Sequence, residues 1–294
     1  MILWKCFSKL FVCIGFERMR RLCKPIIWLM LKLNSKPVRT IRLNLQTVFP
    51  DEKPETIEKY VYQAMHHLGE YLGETLYAWS AVDEISGYCE QIEGLEYLAR
   101  ALNQGTGVLC MTPHCGCTEL ATIAMTDLVG DSLAMYRKFS YPSSEAISDV
   151  RFGRRCTAVA HDNAGLRSAA RHLKRKGIVL MAADTPPKYP LLKDDSMPHA
   201  KLMGIAVNPN TVPGRLVDSS QVKVLYYCGI RTATGFKVQI FEPDPAFPPS
   251  DPNASAQALY TNISRINRLC ISQVHWFHRF FTSNETMCWK YRAL

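Results

Sequence analysis

The feature that most constrains the fold is an alternation of short apolar stretches with helical segments across the middle of the chain. The apolar stretches that suit buried strands are residues 107–112, 133–136, 157–160 and 178–182. Segments of helical periodicity follow the first three of them, at residues 116–128, 144–155 and 163–176. Strands and helices that alternate in this way form a largely parallel sheet covered by helices on both faces. The sequence therefore predicts an α/β fold with a mostly parallel or mixed sheet.

The flanking regions extend this pattern without adding a second domain. Residues 55–79 and 94–103 have helical periodicity, and residues 222–230 and 236–241 form a predicted hairpin. A further helix is predicted for residues 254–272. Because no internal repeat or low-complexity linker occurs, we expect one domain over residues 43–294 behind an N-terminal segment, residues 1–42.

The excess positive charge of the protein is confined to this N-terminal segment. The formal net charge is +9, and residues 1–42 contain ten Lys and Arg with only one acid, Glu17. The rest of the chain is balanced. A nucleic-acid-binding protein usually carries its basic residues on a broad face of its folded domain, so we expect no nucleic-acid partner.

The N-terminal segment has the pattern of an amphipathic helix that lies on an anionic membrane. The apolar side chains at spacings of three and four are Trp4, Phe7, Phe11 and Ile14. Basic residues lie largely on the other side, and Pro25 is expected to end or kink the helix. The longest apolar run is about seven residues, whereas a membrane-spanning helix needs roughly 20. Packing of this helix on the protein's own core is the alternative, and Lys9 and Glu17 disfavour a signal peptide.

The cysteines indicate reduced thiols. Eleven cysteines occur without a framework of paired spacings, which favours a reducing, cytoplasmic setting over a secreted disulfide scaffold. Cys115 and Cys117 form a C-x-C pair, but no second pair with the spacing of a zinc site follows. Nucleotide-binding motifs are also missing from the sequence. We therefore expect neither a metal nor another cofactor.

His114 and Glu119 are the candidate catalytic pair. The apolar residues 108–111 run into Pro113 and His114, which places His114 beyond the C-terminal end of a strand, where open sheets bind their ligands. Five residues on one helix would separate the two side chains by about 140°. They can meet only if His114 lies in the loop and Glu119 in the first turns of the helix. Such a pair suits deprotonation of a hydroxyl, with backbone N–H groups near Gly116 as candidate oxyanion donors; a structural histidine is the alternative.

Several short motifs occur in a consistent order along most of the chain. They are N-L-x-x-x-F-P at 44–50, H-x-x-x-x-E at 114–119, Tyr136-Arg137, Leu166-Arg167, a strand that leads to Asp184, Gly204 with Thr211, Gly214-Arg215-Leu216, and Q-x-x-W-x-H-R at 273–279. Together these motifs resemble the lipid A late acyltransferase family, which is similar to phospholipid acyltransferases with an H-x-x-x-x-D motif.

The resemblance implies an enzyme of the bacterial inner membrane, peripheral or monotopic on its cytoplasmic face. Such an enzyme moves a fatty acyl chain from acyl carrier protein to a hydroxyl of a lipid A precursor without a cofactor. In that case residues 43–294 form the catalytic domain, and His114 and Glu119 are the catalytic residues. The residues implied in substrate binding are Arg137, Asp184, Arg215 and Arg279. A structural ion pair is the alternative for Arg137 and Asp184.

Four departures from the family pattern concern the substrate. Cys115-Gly116-Cys117-Thr118 stands where the family usually has x-G-N-W, and Thr185 replaces a glutamine. Leu202-Met203 replaces two phenylalanines, and Phe280 replaces the second C-terminal arginine. Acylation of another hydroxylated or aminated lipid, or a catalytically silent lipid-binding homologue, therefore remain alternatives.

A basic stripe is predicted on one helix. Residues 151–176 contain eight basic residues and one acid, with Arg167, Arg171, Lys174 and Arg175 at helical spacing. Because acyl carrier protein is strongly acidic, this stripe is a candidate docking site for the donor. Binding of acceptor phosphates and a simply solvated helix face are the alternatives.

Overall fold

The computed structural model describes residues 2–136, 156–193, 199–218, 222–244, 246–247 and 251–294. The predicted helix at 144–155 and Arg137 lie outside these residues. The α-helices of the described ranges are α1 (Ile2–Ile14), α2 (Phe16–Leu22), α3 (Lys24–Lys32), α4 (Lys36–Val48), α5 (Pro54–Ser80), α6 (Leu95–Asn103), α7 (Thr118–Val129), α8 (Asn163–Lys174), α9 (Val212–Asp218), α10 (Pro252–Leu269) and α11 (Glu285–Ala293). Short 3₁₀ helices cover Val82–Tyr88 and Ile271–Gln273.

The strands form one large sheet and a small ribbon. They are β1 (Cys89–Glu93), β2 (Val108–Thr112), β3 (Ser132–Tyr136), β4 (Thr157–Ala160), β5 (Ile178–Ala182), β6 (Ala200–Leu202), β7 (Ile205–Val207), β8 (Lys223–Arg231) and β9 (Phe236–Phe241). The large sheet has the order β1-β9-β8-β2-β5-β3-β4, and β6 pairs with β7. Neighbours in the large sheet are parallel except β8 and β9, which are antiparallel. The prediction of a mostly parallel or mixed sheet is confirmed.

Helices cover both faces of this sheet. In the central strand β2, Leu109 and Met111 pack into one apolar cluster with residues of α4, α5, α8 and α10. Val108 and Cys110 point the other way, into a second cluster with residues of α6 and α7. Successive side chains of a strand point to opposite faces, so a strand buried on both sides reads as a continuous apolar run. This explains why the strands were recognisable in the sequence.

The N-terminal region differs from the single helix expected up to Pro25. Gly15 breaks it with a φ of 81°, and Pro25 lies in the first turn of α3, where proline is tolerated. All four helices α1 to α4 pack against α5. Helix α4 also crosses residue 42, where we placed the domain boundary.

This N-terminal region has both a buried and an exposed apolar side. Phe16, Met19 and Ile27 are buried in the core. Gly73 of α5 lets α2 approach closely, because a Cβ at this position would lie 2.0 Å from the Met19 carbonyl oxygen. The exposed apolar side chains are Phe7, Leu10, Leu22, Ile26, Trp28, Leu29 and Leu33. Within the described ranges, no helix is both long and apolar enough to cross a membrane.

Candidate active site

The site lies where two neighbouring parallel strands end. Thr112 of β2 is in register with Ala182 of β5, and the ladder continues by one bond from the Ala183 N–H to the Thr112 carbonyl, at 3.1 Å. His114 and Asp184 each come two residues after a paired position. The sheet register therefore brings these two side chains together at the C-terminal edge.

Asp184 holds His114 by two hydrogen bonds. The Nδ1 atom of His114 lies 2.6 Å from Oδ1 of Asp184, and the main-chain N–H of His114 donates to Oδ2 at 2.7 Å. The Asp184 side chain is 1% exposed and that of His114 is 28% exposed. Burial acts to raise the pKa of Asp184, but the charge and hydrogen bonds of His114 outweigh it, so this pKa lies below its usual value. An ionised Asp184 favours a proton on Nδ1 and thus a lone pair on Nε2.

Residues 114–117, which include the candidate base His114, are called the catalytic loop here, and their main-chain N–H groups are already engaged. The His114 N–H binds Asp184, and the Cys115 N–H donates to the Pro113 carbonyl at 3.0 Å. The N–H groups of Gly116 and Cys117 donate to the carbonyls of Gln273 and Gly229, at 2.7 and 3.1 Å. The Gly116 amide is therefore occupied in this conformation, and oxyanion donors among the other N–H groups near the helix start stay a prediction. Gly116 is required here, because its φ is +60° and a Cβ would lie 1.8 Å from the Gly229 oxygen.

The C-terminal segment fastens the catalytic loop from the other side. The His275 N–H donates to the His114 carbonyl at 2.9 Å, and Nε2 of His275 lies 3.0 Å from the Gly116 carbonyl. His275 is buried. Burial, with the nearby charge of His114, lowers the pKa of His275 well below its usual value. The side chain is therefore a neutral imidazole that donates its Nε2–H to the loop.

A buried ion pair supports the same loop. The guanidinium of Arg231 binds both carboxylate oxygens of Glu74, at 2.7 and 2.8 Å, and lies 3.3 Å from the Gly116 carbonyl. The side chain of Gln273 binds the main-chain N–H and carbonyl of Arg231, at 2.9 and 3.2 Å. Neither Glu74 nor Arg231 was singled out by the sequence analysis. A charged residue in a long helix and one at a strand end carry no sequence signal that they will pair.

A second imidazole, that of His278, stands beside His114. Its ring centroid lies 5.0 Å from that of His114, and the side chain is exposed. The aromatic residues around them in the sequence, Trp276, Phe277 and Phe280, favour a core or interface role for both His275 and His278. His275 is buried in the core, whereas the turn after Trp276 leaves His278 exposed. A core role is therefore wrong for His278, and an interface role stays a prediction.

Asn44 fixes the turn that carries His278. Its side-chain amide donates to the carbonyls of Trp276 and His278, at 2.6 and 2.8 Å. Its Oδ1 atom accepts a hydrogen bond from the Tyr291 hydroxyl. Asn44 is fully buried. The N-L-x-x-x-F-P motif near the N-terminus thus holds the Q-x-x-W-x-H-R motif near the C-terminus.

The thiols near the loop are structural. The Sγ atoms of Cys115 and Cys270 lie 2.6 Å apart in the core. The hydrogen bond with Cys270, together with burial, raises the pKa of Cys115 well above its usual value. Burial likewise raises the pKa of Cys117. Because thiolates are the reactive form, these two cysteines are poor nucleophiles at neutral pH.

Of the other predicted site residues, the structure describes Glu119, Arg215 and Arg279. Glu119 lies in the first turn of α7 and is buried, as the loop-then-helix arrangement requires. Arg137 lies outside the described residues. Arg215 is exposed on α9, and the exposed Arg279 packs its guanidinium over the Tyr291 ring, 5.9 Å from the centroid. In the described structure, the residue brought into contact with the Nδ1 atom of His114 is Asp184.

The predicted basic stripe is present on α8. Arg167, Arg171 and Lys174 are exposed, and Arg175 follows as the C-terminal cap of the helix. The helix packs against β3, β4 and β5. The stripe is therefore a solvent-exposed surface of the same domain as His114.

The match of this chain to one family model covers enough residues to decide its sequence family. The family model for bacterial lipid A biosynthesis acyltransferases matches residues 2–283, nearly the whole chain. The chain belongs to this family. It is 28% identical over 243 residues to the lipid A biosynthesis palmitoleoyltransferase of Escherichia coli (strain K12), covering 82% of this chain and 77% of that relative. The lipid A biosynthesis acyltransferase of Shigella flexneri matches with the same values.

Membership of the lipid A acyltransferase family establishes that this protein is an acyltransferase. The family match includes the strand-end loop with His114, the strand that leads to Asp184 and the helix with Asn44. The catalytically silent alternative is therefore set aside.

Proposed function

We propose that this acyltransferase moves a fatty acyl chain from the thioester of acyl carrier protein to a hydroxyl of a lipid A precursor. The proposed location is the cytoplasmic face of the bacterial inner membrane, with peripheral or monotopic attachment. The observation that carries the proposal is the buried Asp184 carboxylate on Nδ1 of a partly exposed His114. This arrangement is suited to a general base that deprotonates a hydroxyl.

The proposed reaction is a direct transfer in which His114 carries one proton. Nε2 of His114 takes the proton of the acceptor hydroxyl while its oxygen attacks the thioester carbonyl carbon. The tetrahedral intermediate then collapses, the C–S bond breaks, and the imidazolium returns the proton to the leaving thiolate. The Asp184 carboxylate orients the ring and stabilises the imidazolium. We retain Glu119 as a second catalytic carboxylate, because it lies in the first turn of the helix that follows the loop.

The donor and acceptor sites are proposed on separate grounds. The exposed stripe with Arg167, Arg171 and Arg175 has the charge needed to attract an acidic carrier protein. Arg137, Arg215 and Arg279 stay predictions as substrate-binding residues. An arginine presents a planar set of donors, which suits the binding of phosphate groups.

Membrane attachment is proposed through the exposed side of α2 and α3. The apolar residues there are Leu22, Ile26, Trp28, Leu29 and Leu33, and exposed Arg21, Lys24 and Lys32 lie among them. Apolar side chains next to basic ones favour binding at the headgroup layer of anionic lipids. The buried side of α2 and α3 packs on α5. The same two helices therefore contact the protein core on one side and, in this proposal, the membrane on the other.

The lipid A of living cells tests the proposal. Deletion of the gene should remove one acyl chain from part of the lipid A, and mass spectrometry should show the corresponding mass difference. The wild-type gene should restore the chain, whereas a gene for His114→Ala at equal protein level should not. Lipid A that is identical in all three strains would contradict the proposal.

A further inference from the structure

We propose that His278 is a catalytic residue that donates a hydrogen bond from its ring to the carbonyl oxygen of the acyl thioester. The inference rests on the proposed function, because it assigns a role within the same acyl transfer. Its basis is the combination of a catalytic loop with occupied amides and a second imidazole held beside His114.

Acyl transfer needs a donor for the oxygen that becomes negative in the tetrahedral intermediate. Main-chain N–H groups often supply this donor, but those of residues 114–117 are bound to Asp184, Pro113, Gln273 and Gly229. Use of any of them would break a hydrogen bond that shapes the loop. A side chain that reaches the same space is therefore the better candidate.

The position of His278 suits this role. The reacting carbonyl carbon must lie within about 3 Å of the acceptor oxygen, which itself lies about 3 Å from Nε2 of His114. The carbonyl oxygen is then within reach of a ring whose centroid is 5.0 Å from that of His114. His275 is also near, at 6.1 Å, but it is buried and directs its Nε2–H to Gly116. His278 is the exposed one of the two.

The backbone of His278 is held before any substrate binds. Asn44 binds the carbonyls of Trp276 and His278, and the His278 N–H donates to the His275 carbonyl at 2.9 Å. The indole N–H of Trp276 donates to the Ile271 carbonyl at 2.7 Å. A donor fixed in advance stabilises developing charge without the cost of reorganisation during the reaction. We assign Asn44 as the positioning residue for His278.

The hydrogen bond from His278 leaves the proton balance of the acyl transfer unchanged. His114 accepts the hydroxyl proton and later returns it to the thiolate, so His278 transfers no proton overall. Its ring N–H shortens its contact to the carbonyl oxygen as the C–O bond becomes single. The contact weakens again when the C–S bond breaks and the ester carbonyl forms.

The test is steady-state kinetics with full-length protein, palmitoleoyl-acyl carrier protein and a lipid A precursor. His278→Ala should lower kcat by about 10²- to 10³-fold with little change in KM, as expected for loss of one oxyanion donor. His278→Gln, whose amide can still donate, should retain at least about tenfold more activity than the alanine variant. Asn44→Ala should lower kcat in the same direction. His66→Ala, which removes a half-buried histidine beside Tyr62 on α5, is the matched control and should behave as wild type.

The outcomes separate this inference from the proposed function. If the wild-type protein transfers no acyl chain, the proposed function fails. The second case is that wild type transfers the acyl chain and His114→Ala does not. The inference about His278 then fails if His278→Ala has the kcat of wild type or changes only KM. It also fails if His278→Gln is as slow as His278→Ala. Because the side chain is exposed, the melting temperature of both His278 variants should stay within about 2 °C of wild type.

Discussion

His275 is a buried side chain whose protonation state affects the shape of the catalytic loop. It contacts His114 and Gly116 through hydrogen bonds, and the charges of His114, His278 and Arg231 act on it. The ring centroid of Tyr71 lies 4.2 Å from that of His275. Its pKa in the folded protein is lower than the unfolded value, which is about 6.5 for histidine. The unfolded chain therefore binds a proton in acid that the native protein excludes.

The stability of the protein should consequently fall as the pH drops below about 6.5, by at most about 1.4 kcal/mol per pH unit from this residue. Above that pH the contribution of His275 is fully present. His275→Gln keeps an N–H for the Gly116 carbonyl and should reduce this slope, whereas His161→Gln, at an exposed site, should not. Urea denaturation at several pH values measures both. Equal slopes in wild type and His275→Gln would contradict the argument.

At the same scale, sequence reasoning located His114 beyond the end of one strand and Asp184 at the end of another. It did not predict their contact, because that contact depends on β5 lying next to β2 in register, and strand order is not encoded in a short apolar run. The roles of Asn44, Glu74 and Arg231 were also missed, since each acts through a partner more than 150 residues away. The exposure of His278 was not predicted, because apolar neighbours in sequence do not decide which way a turn directs a side chain.

Among the elements, α3 offers a direct test of membrane contact. Trp28 is 57% exposed with Lys32 over its ring, and Trp289 of α11 is 60% exposed with Arg292 over its ring. The two tryptophans are thus matched in type, exposure and local charge. Trp28→Ala should weaken binding to phosphatidylglycerol-containing vesicles by about tenfold, since burial of a large apolar side chain contributes about 1.5–3 kcal/mol.

Trp289→Ala is the control and should bind vesicles as wild type does. Sedimentation or flotation with vesicles measures both variants, and added salt should weaken binding of all proteins because exposed basic groups contribute. An equal loss in the two variants would mean that the contact is not specific to α3. No loss in Trp28→Ala would contradict the proposed membrane face.

The basic helix α8 leads to a prediction about the donor. Reversing the charge of Arg167, Arg171 and Arg175 to glutamate should raise KM for acyl carrier protein thioesters much more than for a small acyl thioester, because only the carrier has an acidic surface. The effect should shrink with salt, since the Debye length is about 8 Å at physiological ionic strength. A control with Lys59, Arg268 and Lys290 reversed, all exposed, should affect the two donors equally. Equal loss with both donors in the α8 variant would assign the stripe to acceptor binding or folding.

Elements with strong periodicity were predicted well, and those without it were missed. Helix α5, predicted at 55–79, covers Pro54–Ser80, and the hairpin β8–β9 is confirmed. Strand β1 and the ribbon β6–β7 escaped notice, because β1 is partly exposed and each ribbon strand has only three residues. The break at Gly15 was missed because a single glycine within a helical pattern is only a weak signal of a helix end.

On the scale of the whole molecule, both ends of the chain converge on the catalytic loop. Asn44 of α4 and Glu74 of α5 act from the N-terminal part, and Gln273 and His275 act from the C-terminal part. The N-terminal helices also bury Phe16, Met19 and Ile27. Removal of these helices would expose the apolar surface of α5, so point substitutions such as those above are the cleaner test of membrane binding.

The central claim is that His114 acts as a base that Asp184 orients. Single-turnover transfer from a fatty acyl thioester of acyl carrier protein to a lipid A precursor, compared between wild type and Asp184→Asn, tests it most directly. We predict a rate lower by about 10²- to 10⁴-fold, because the amide can hold the ring but cannot stabilise the imidazolium by charge. Glu119→Gln, measured alongside, should also be slower. A rate for Asp184→Asn within about threefold of wild type, with the loss confined to Glu119→Gln, would contradict the account.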